Sequence, residues 1–169
     1  MELLDVYNEQ HQRTGRTIAR NGEVFEGERL LVVHVCVLNS RSQMLIQRRQ
    51  LTKDRYPGCW DLSAGGFVLS GEDSADAVQR ELSEEMGLQV ERDALSFLFT
   101  EPFSYVLDDF YLVRSDVDPA SLRLQPEEVS EAKWASLQEI ETMIADGRFV
   151  DYPVDGIRLV FRLAAEQHA

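Results

Sequence analysis

Residues Gly66 to Leu88 read GFVLSGEDSADAVQRELSEEMGL, which sets a glycine-rich loop directly ahead of a helix loaded with carboxylates. Ala75, Val78, Leu82 and Met86 recur at spacings of three and four, and this predicts a helix over Ser74 to Met86 with one apolar stripe. Asp73 or Ser74 can cap its start, and Gly87 stands where a left-handed residue ends a helix. At about 100° per residue, Glu81 and Glu85 fall together beside the stripe, with Glu84 further round toward solvent. Three carboxylates this close repel one another. Arg80 offsets part of that through an i, i+4 contact with Glu84 or by reaching elsewhere, and a hard cation would offset more of it. A solvated acidic face is the plainer reading of such a helix. Against it, Gly65-Gly66 lets backbone carbonyls approach a ligand, and Gly71-Glu72 adds a second permissive turn and a further carboxylate.

Working outward, Leu30 to Leu38 is a nearly continuous β-branched and apolar run, expected as a strand buried on both faces. Before it, Leu4, Val6, Thr17 and Ile18 flank a polar turn over Asn8 to Gly15, which reads as a hairpin. After it, Asn39 to Ser42 supply turn residues and Met44 to Gln47 return as the partner strand. A loop through Pro57-Gly58 leads to a short strand near Trp60 to Ser63. Beyond the acidic helix, strands are expected around Leu95 to Thr100, Phe110 to Val113 and Val129 to Trp134. Ser136-Leu137-Gln138-Glu139 has the capping-box pattern of a helix that Gly147 should end, and a last helix carries Ile157, Val160, Phe161 and Ala164 on one face. The order predicts an α/β fold with a mixed sheet, one domain spanning residues 1–169.

Composition narrows the function. A net charge of −13 argues against a partner built on nucleic-acid backbones. Yet Arg41, Arg48, Arg49, Lys53 and Arg55 cluster with Asp54 the one acid among them, a local basic loop suited to a small anion. No apolar run approaches the roughly 20 residues of a membrane span, and Met1 to Asp5 lacks the start of a leader, so a cytoplasmic protein is expected. Cys36 and Cys59 have no zinc-ligand spacing and read as reduced thiols. His34, inside the long strand, reads as a satisfied core histidine, and terminal His168 as mobile. Trp60, Phe67, Phe103, Tyr105 and Phe110 could stack a base but read mainly as core; Phe103 and Tyr105 are the candidates for a substrate-side wall.

Gly66, five residues, Glu72, seven residues and then Arg80-Glu81-Leu82-Ser83-Glu84-Glu85-Met86-Gly87-Leu88 match every fixed position of the Nudix box, so the chain resembles the Nudix hydrolases. The resemblance implies an α/β/α sandwich with a mixed sheet and a loop–helix–loop box over 66–88. It implies Mg²⁺-dependent hydrolysis, with Mn²⁺ as a substitute ion, of a diphosphate bond in a nucleoside diphosphate derivative or a related soluble diphosphate. Glu81, Glu84 and Glu85 would bind the ion, with the Gly65 carbonyl as a further ligand. Arg80 would orient a glutamate and Glu72 would support the loop. For the general base, Glu81 is the first choice and Glu128, in the Gln125 to Val129 loop, the second.

Leu45 to Arg49, Lys53, Pro57-Gly58, Trp60-Asp61 and the stretch Glu128-Val129 to Trp134 narrow the likeness to the isopentenyl-diphosphate isomerase branch of that superfamily. In that branch the second arginine and the lysine bind diphosphate, which points to Arg49 and Lys53, with Arg48 beside them. Isomerase chemistry itself is the alternative, and it fits badly. The position of its cysteine falls on Ala64, and those of two histidines on Phe67 and near Leu30; Asp109 falls roughly where its second acid stands. A further alternative is a catalytically silent domain that senses a nucleotide or protein. A small diphosphate is the expected partner, with no nucleic-acid polymer and no membrane; the N-terminal hairpin leaves monomer and homodimer both open.

Overall fold

The run from Glu28 to Leu38 forms the longest strand of a computed structural model that describes residues 1–167; His168 lies outside the described residues. Strands precede and follow it: β1 Leu3–Asn8, β2 Arg13–Ala19, then β3 Glu28–Leu38 itself, β4 Met44–Arg49, β5 Trp60–Asp61 and β6 Ala64–Phe67. Helix α1 spans Ser74–Met86, and β7 Ser96–Phe103, β8 Val106–Arg114, β9 Val129–Ala135, α2 Leu137–Ala145 and α3 Val154–Glu166 complete the chain. Strand β3 is the spine of a mixed sheet, running parallel to β8 on one side and antiparallel to β6 on the other. Strand β7 pairs antiparallel with β8, while β4 pairs with β5 and β9.

Alternation along β3 divides the core in two. Leu31, Val33, Val35 and Val37 pack with Val78, Leu82 and Met86 of α1. Cys36 and Leu38, on the opposite face, pack with Ile140 and Met143 of α2 and with Ile157, Val160 and Ala164 of α3. Helices therefore cover both faces, and the fold is an α/β/α sandwich. Each buried aliphatic side chain contributes about 1.5–3 kcal/mol.

Helix α1 begins and ends where its sequence directs. Asp73 accepts from the Asp76 N–H, and Asp76 in turn accepts from the Asp73 N–H, a reciprocal cap. Gly87 takes φ 64°, which closes the helix through its own N–H to Ser83 O and that of Leu88 to Leu82 O. Helix α2 opens on the expected box of Ser136 and Glu139.

Three expectations need correction. Met44 to Gln47 does not run beside β3: the two meet only at Leu38 and Met44, because β3 gives its edges to β6 and β8 while β4 turns to β5 and β9. The hairpin turn is shorter than Asn8 to Gly15, since Arg13 already pairs with Tyr7. On α1, Ala75 is half-buried and Ala77 takes its place in the core, the stripe being rotated toward β6. Helix α2 ends as expected on Gly147: after Asp146 caps it, Gly147 takes φ 77°, its N–H donates to Ile144 O and that of Arg148 to Met143 O. Among the described residues, no helix is long and apolar enough to cross a membrane.

Candidate active site

One turn apart on α1, Glu81 and Glu85 are each only 9% exposed, whereas the Glu84 side chain is half in solvent. The helix lies against β6, and Gly66 is what lets it come so close: a Cβ there would run into the Glu81 carboxylate. Arg80 ties loop to helix. Its guanidinium donates to both oxygens of Glu72 at 2.8 and 3.0 Å, to Phe67 O at 2.9 Å and to Glu81 Oε1 at 2.7 Å. Its contact with Glu84 is longer, 3.5 Å. Glu72 also accepts from the Leu69 N–H. Burial works against the Glu72 charge, but the Arg80 and Leu69 hydrogen bonds outweigh it and hold this carboxyl below its usual range.

The two buried glutamates are shifted the other way. Burial raises Glu81 to about 7, opposed by Arg80. Burial, then the neighbouring Glu81 charge, raises Glu85 to about 8, and the Gln47 amide that donates to Glu85 Oε2 at 2.5 Å only partly offsets it.

Facing them across a cavity of about 230 Å³ are Arg49, Lys53 and Glu128, so the cavity brings together Gly65, Arg80, Glu81, Glu84 and Glu85 with the basic loop. Arg49 donates to Asp61 Oδ2 at 3.0 Å and to Arg55 O at 3.1 Å. Lys53 is ion-paired with Glu128. The other candidates lie elsewhere. Arg48 turns to Gly58 O and Glu131; Phe103 is 64% exposed at the end of β7. Asp109 is buried against Thr100 Oγ1 and His11, off the cavity wall. Trp60 and Phe110 are core.

Sequence reading missed Glu2, Arg20 and Gln125, which also line the cavity, and the buried Gln47. Arg20 pairs with Glu2 at 2.8 Å and sits 5.5 Å over the Phe67 ring. Glu2 and Arg20 arrive because β1 docks on the glycine loop, the Ser70 N–H donating to Leu3 O at 2.7 Å, and Gln125 because its N–H donates to Glu85 O at 3.0 Å. No local pattern announces a long-range contact of that kind.

Among the described residues, no three His, Cys, Asp or Glu side chains converge closely enough to hold an ion as they stand. The chemistry nevertheless suits a hard cation: oxygen donors only, two of them buried, of which Glu85 has no cationic partner among the described residues, beside a glycine cradle that a side chain would fill.

Residues 28–154 match the family model described as the NUDIX domain. An uncharacterised Nudix hydrolase of Listeria monocytogenes is 39% identical over 152 residues, 90% of each chain. The crystal structure of DR0079 from Deinococcus radiodurans superposes with a TM-score of 0.74 at 31% identity, covering 88% of this chain and 91% of that one. The isopentenyl-diphosphate Delta-isomerase 2 of Aromatoleum aromaticum is 31% identical over 114 residues, 64% of this chain and 59% of its own length.

Proposed function

The chain belongs to the Nudix family and is a hydrolase of diphosphate linkages, and on that premise we propose that it cleaves a soluble nucleoside diphosphate derivative or related diphosphate with Mg²⁺. One observation carries the reading: buried Glu81, paired with Arg80, and buried Glu85, with no cationic partner among the described residues, share a cavity with Arg49 and Lys53. Glu81, Glu84, Glu85 and the Gly65 carbonyl would hold the ion, and Mn²⁺ has the same taste for oxygen donors. When bound, Mg²⁺ supplies charge neutralisation at the phosphoryl oxygens and acidifies water.

The chain's own residues do the rest. Arg49 offers a planar fork and Lys53 a compact charge to the diphosphate oxygens. Arg80 fixes the Glu81 carboxylate through Oε1, which leaves Oε2 to take a proton from the attacking water. Glu128 is the second candidate for that proton, and a substrate that draws Lys53 away would free it. The likeness to the isomerase branch supports Arg49 and Lys53 as diphosphate ligands without extending to isomerase chemistry. Where that reaction needs a thiol stands buried Ala64, and Cys59 points instead toward Gly147 O. A small metabolite in a cytoplasmic setting fits the −13 charge and two free thiols, Cys36 and Cys59.

The test is product release with Mg²⁺ across nucleotides, nucleotide sugars and coenzyme A esters, followed by Glu85→Gln. We expect the substitution to fold and to lose turnover by about a hundredfold or more. Undiminished turnover would remove the metal assignment, and allylic product from an isoprenoid diphosphate would favour the isomerase.

A further inference from the structure

We propose that Tyr152 is a positioning residue for substrate diphosphate: its hydroxyl fixes Asp61, and Asp61 fixes Arg49. The proposal rests on the reading of Arg49 as a diphosphate ligand.

Tyr152 lies between α2 and α3, far in sequence from every other site residue, yet the backbone holds its segment against β5. The Trp60 N–H donates to Arg148 O and the Val150 N–H donates to Trp60 O, each at 2.8 Å, so Phe149 forms an isolated parallel β-bridge with Trp60. Two residues further on, the Tyr152 hydroxyl donates to Asp61 Oδ1 at 2.7 Å.

Asp61 is thereby held at both oxygens. Oδ1 accepts from Tyr152 and from the Leu62 N–H at 2.7 Å, and Oδ2 accepts from Arg49 Nη1 at 3.0 Å. With Arg49 Nε donating to Arg55 O, the guanidinium plane is set by two anchors. Its Nη2 has no protein partner among the described residues, on a side chain that lines the cavity. A fork that recognises two phosphate oxygens works only if its plane is held, since small misplacements of a binding group carry large penalties.

The same hydroxyl lies 3.5 Å from His34 Nδ1, and His34 Nε2 is 3.0 Å from Asp108 Oδ1. A continuous polar row, Asp108–His34–Tyr152–Asp61–Arg49, thus runs beneath the site from the α3 side of the sheet. Phenylalanine would fill the space beside Phe149, where the ring centroids are 6.3 Å apart, and leave Asp61 Oδ1 with one donor instead of two. Packing alone therefore does not require the hydroxyl.

The experiment is calorimetric titration with methylenediphosphonate and Mg²⁺, a diphosphate that cannot be hydrolysed. Wild type, Tyr152→Phe, Arg49→Ala and the double variant are compared, with melting curves for each. Tyr152→Phe should bind about tenfold more weakly while melting close to wild type, and should cost nothing further in the Arg49→Ala background. With a hydrolysed substrate the same variant should raise KM and leave kcat nearly unchanged. Asp61→Asn, which keeps the shape and the Leu62 contact, is the second variant and should show the same dependence on Arg49. Wild-type affinity in Tyr152→Phe, or an equal loss in both backgrounds, would overturn the proposal. Failure of the wild type to bind the diphosphonate would instead remove the reading of the site, and full affinity in Arg49→Ala would remove Arg49 from it; the proposal falls in either case.

Discussion

Gln47 Nε2 donates to Glu85 Oε2 at 2.5 Å, so a buried carboxylate of α1 meets a neutral amide where an ion pair would be expected. A neutral amide cannot neutralise that charge. On the proposed reading of Glu85 as a metal ligand, stability and ion binding are linked through one side chain.

Unfolded, Glu81 and Glu85 titrate near about 4.3, whereas folded they titrate at about 7 and about 8. Between those limits the native state holds protons that the unfolded chain has released, so stability falls as pH rises and the cost is complete above the folded values. Metal-free protein should therefore melt higher near about pH 5.5 than near about pH 8.5, and added Mg²⁺ should raise the melting temperature mainly at the higher pH. Asp5, Glu72 and Asp73, whose carboxyls are lowered, act in the opposite sense, only as pH falls through their own range. Calorimetric scans in chelator and in Mg²⁺ check this; a melting temperature that climbs with pH in chelator would contradict it.

Glu81 and Glu128 can be separated by rate. Glu81→Gln should reduce kcat by about a thousandfold, as expected when a ligand and proton acceptor is lost. Glu128→Gln releases Lys53 from its ion pair and should lower KM a few-fold, with kcat changed by less than about tenfold. A larger kcat loss in Glu128→Gln than in Glu81→Gln would exchange their roles.

Arg80→Lys keeps the charge and loses the fork that holds Glu72, Phe67 O and Glu81 together. Urea denaturation should show about 1–3 kcal/mol of destabilisation with an unchanged slope, and turnover should fall more than stability does. A lysine variant as stable as the parent would mean that the loop is held by something else.

Gly66→Ala puts a methyl group where the Glu81 carboxylate lies. Turnover at saturating substrate should drop by about tenfold or more while the Mg²⁺ concentration for half-maximal rate rises. Gly71→Ala, with nothing near its added carbon, should leave the Mg²⁺ dependence alone, although its φ of 88° makes it a stability mutant.

Much of the fold was legible because its signals are local. Asp73, Gly87 and the run from Val78 to Met86 define α1 without help from the rest of the chain, and the matching of box residues places the carboxylates on it. What could not be read depends on pairing across distance. Met44 to Arg49 has the composition of any strand, and nothing in it states that β9 rather than β3 runs beside it. Arg20 and Glu2 look like ordinary ends of an exposed hairpin until Leu3 meets Ser70. Tyr152, in a loop between helices, owes its place to the backbone bonds made by Trp60.

Leu82 stands next to Glu81 in the chain yet points into the core, between β3 and the carboxylates that flank it. The helix is thus a rigid ruler with hydrocarbon marked on one edge and oxygen on the next. Trimming Leu82 opens a void that lets the ruler tilt, and six-coordinate Mg²⁺ tolerates little change in its oxygen spacing. Core packing here is also calibration: on the proposed metal reading, ion preference should change well before the protein unfolds.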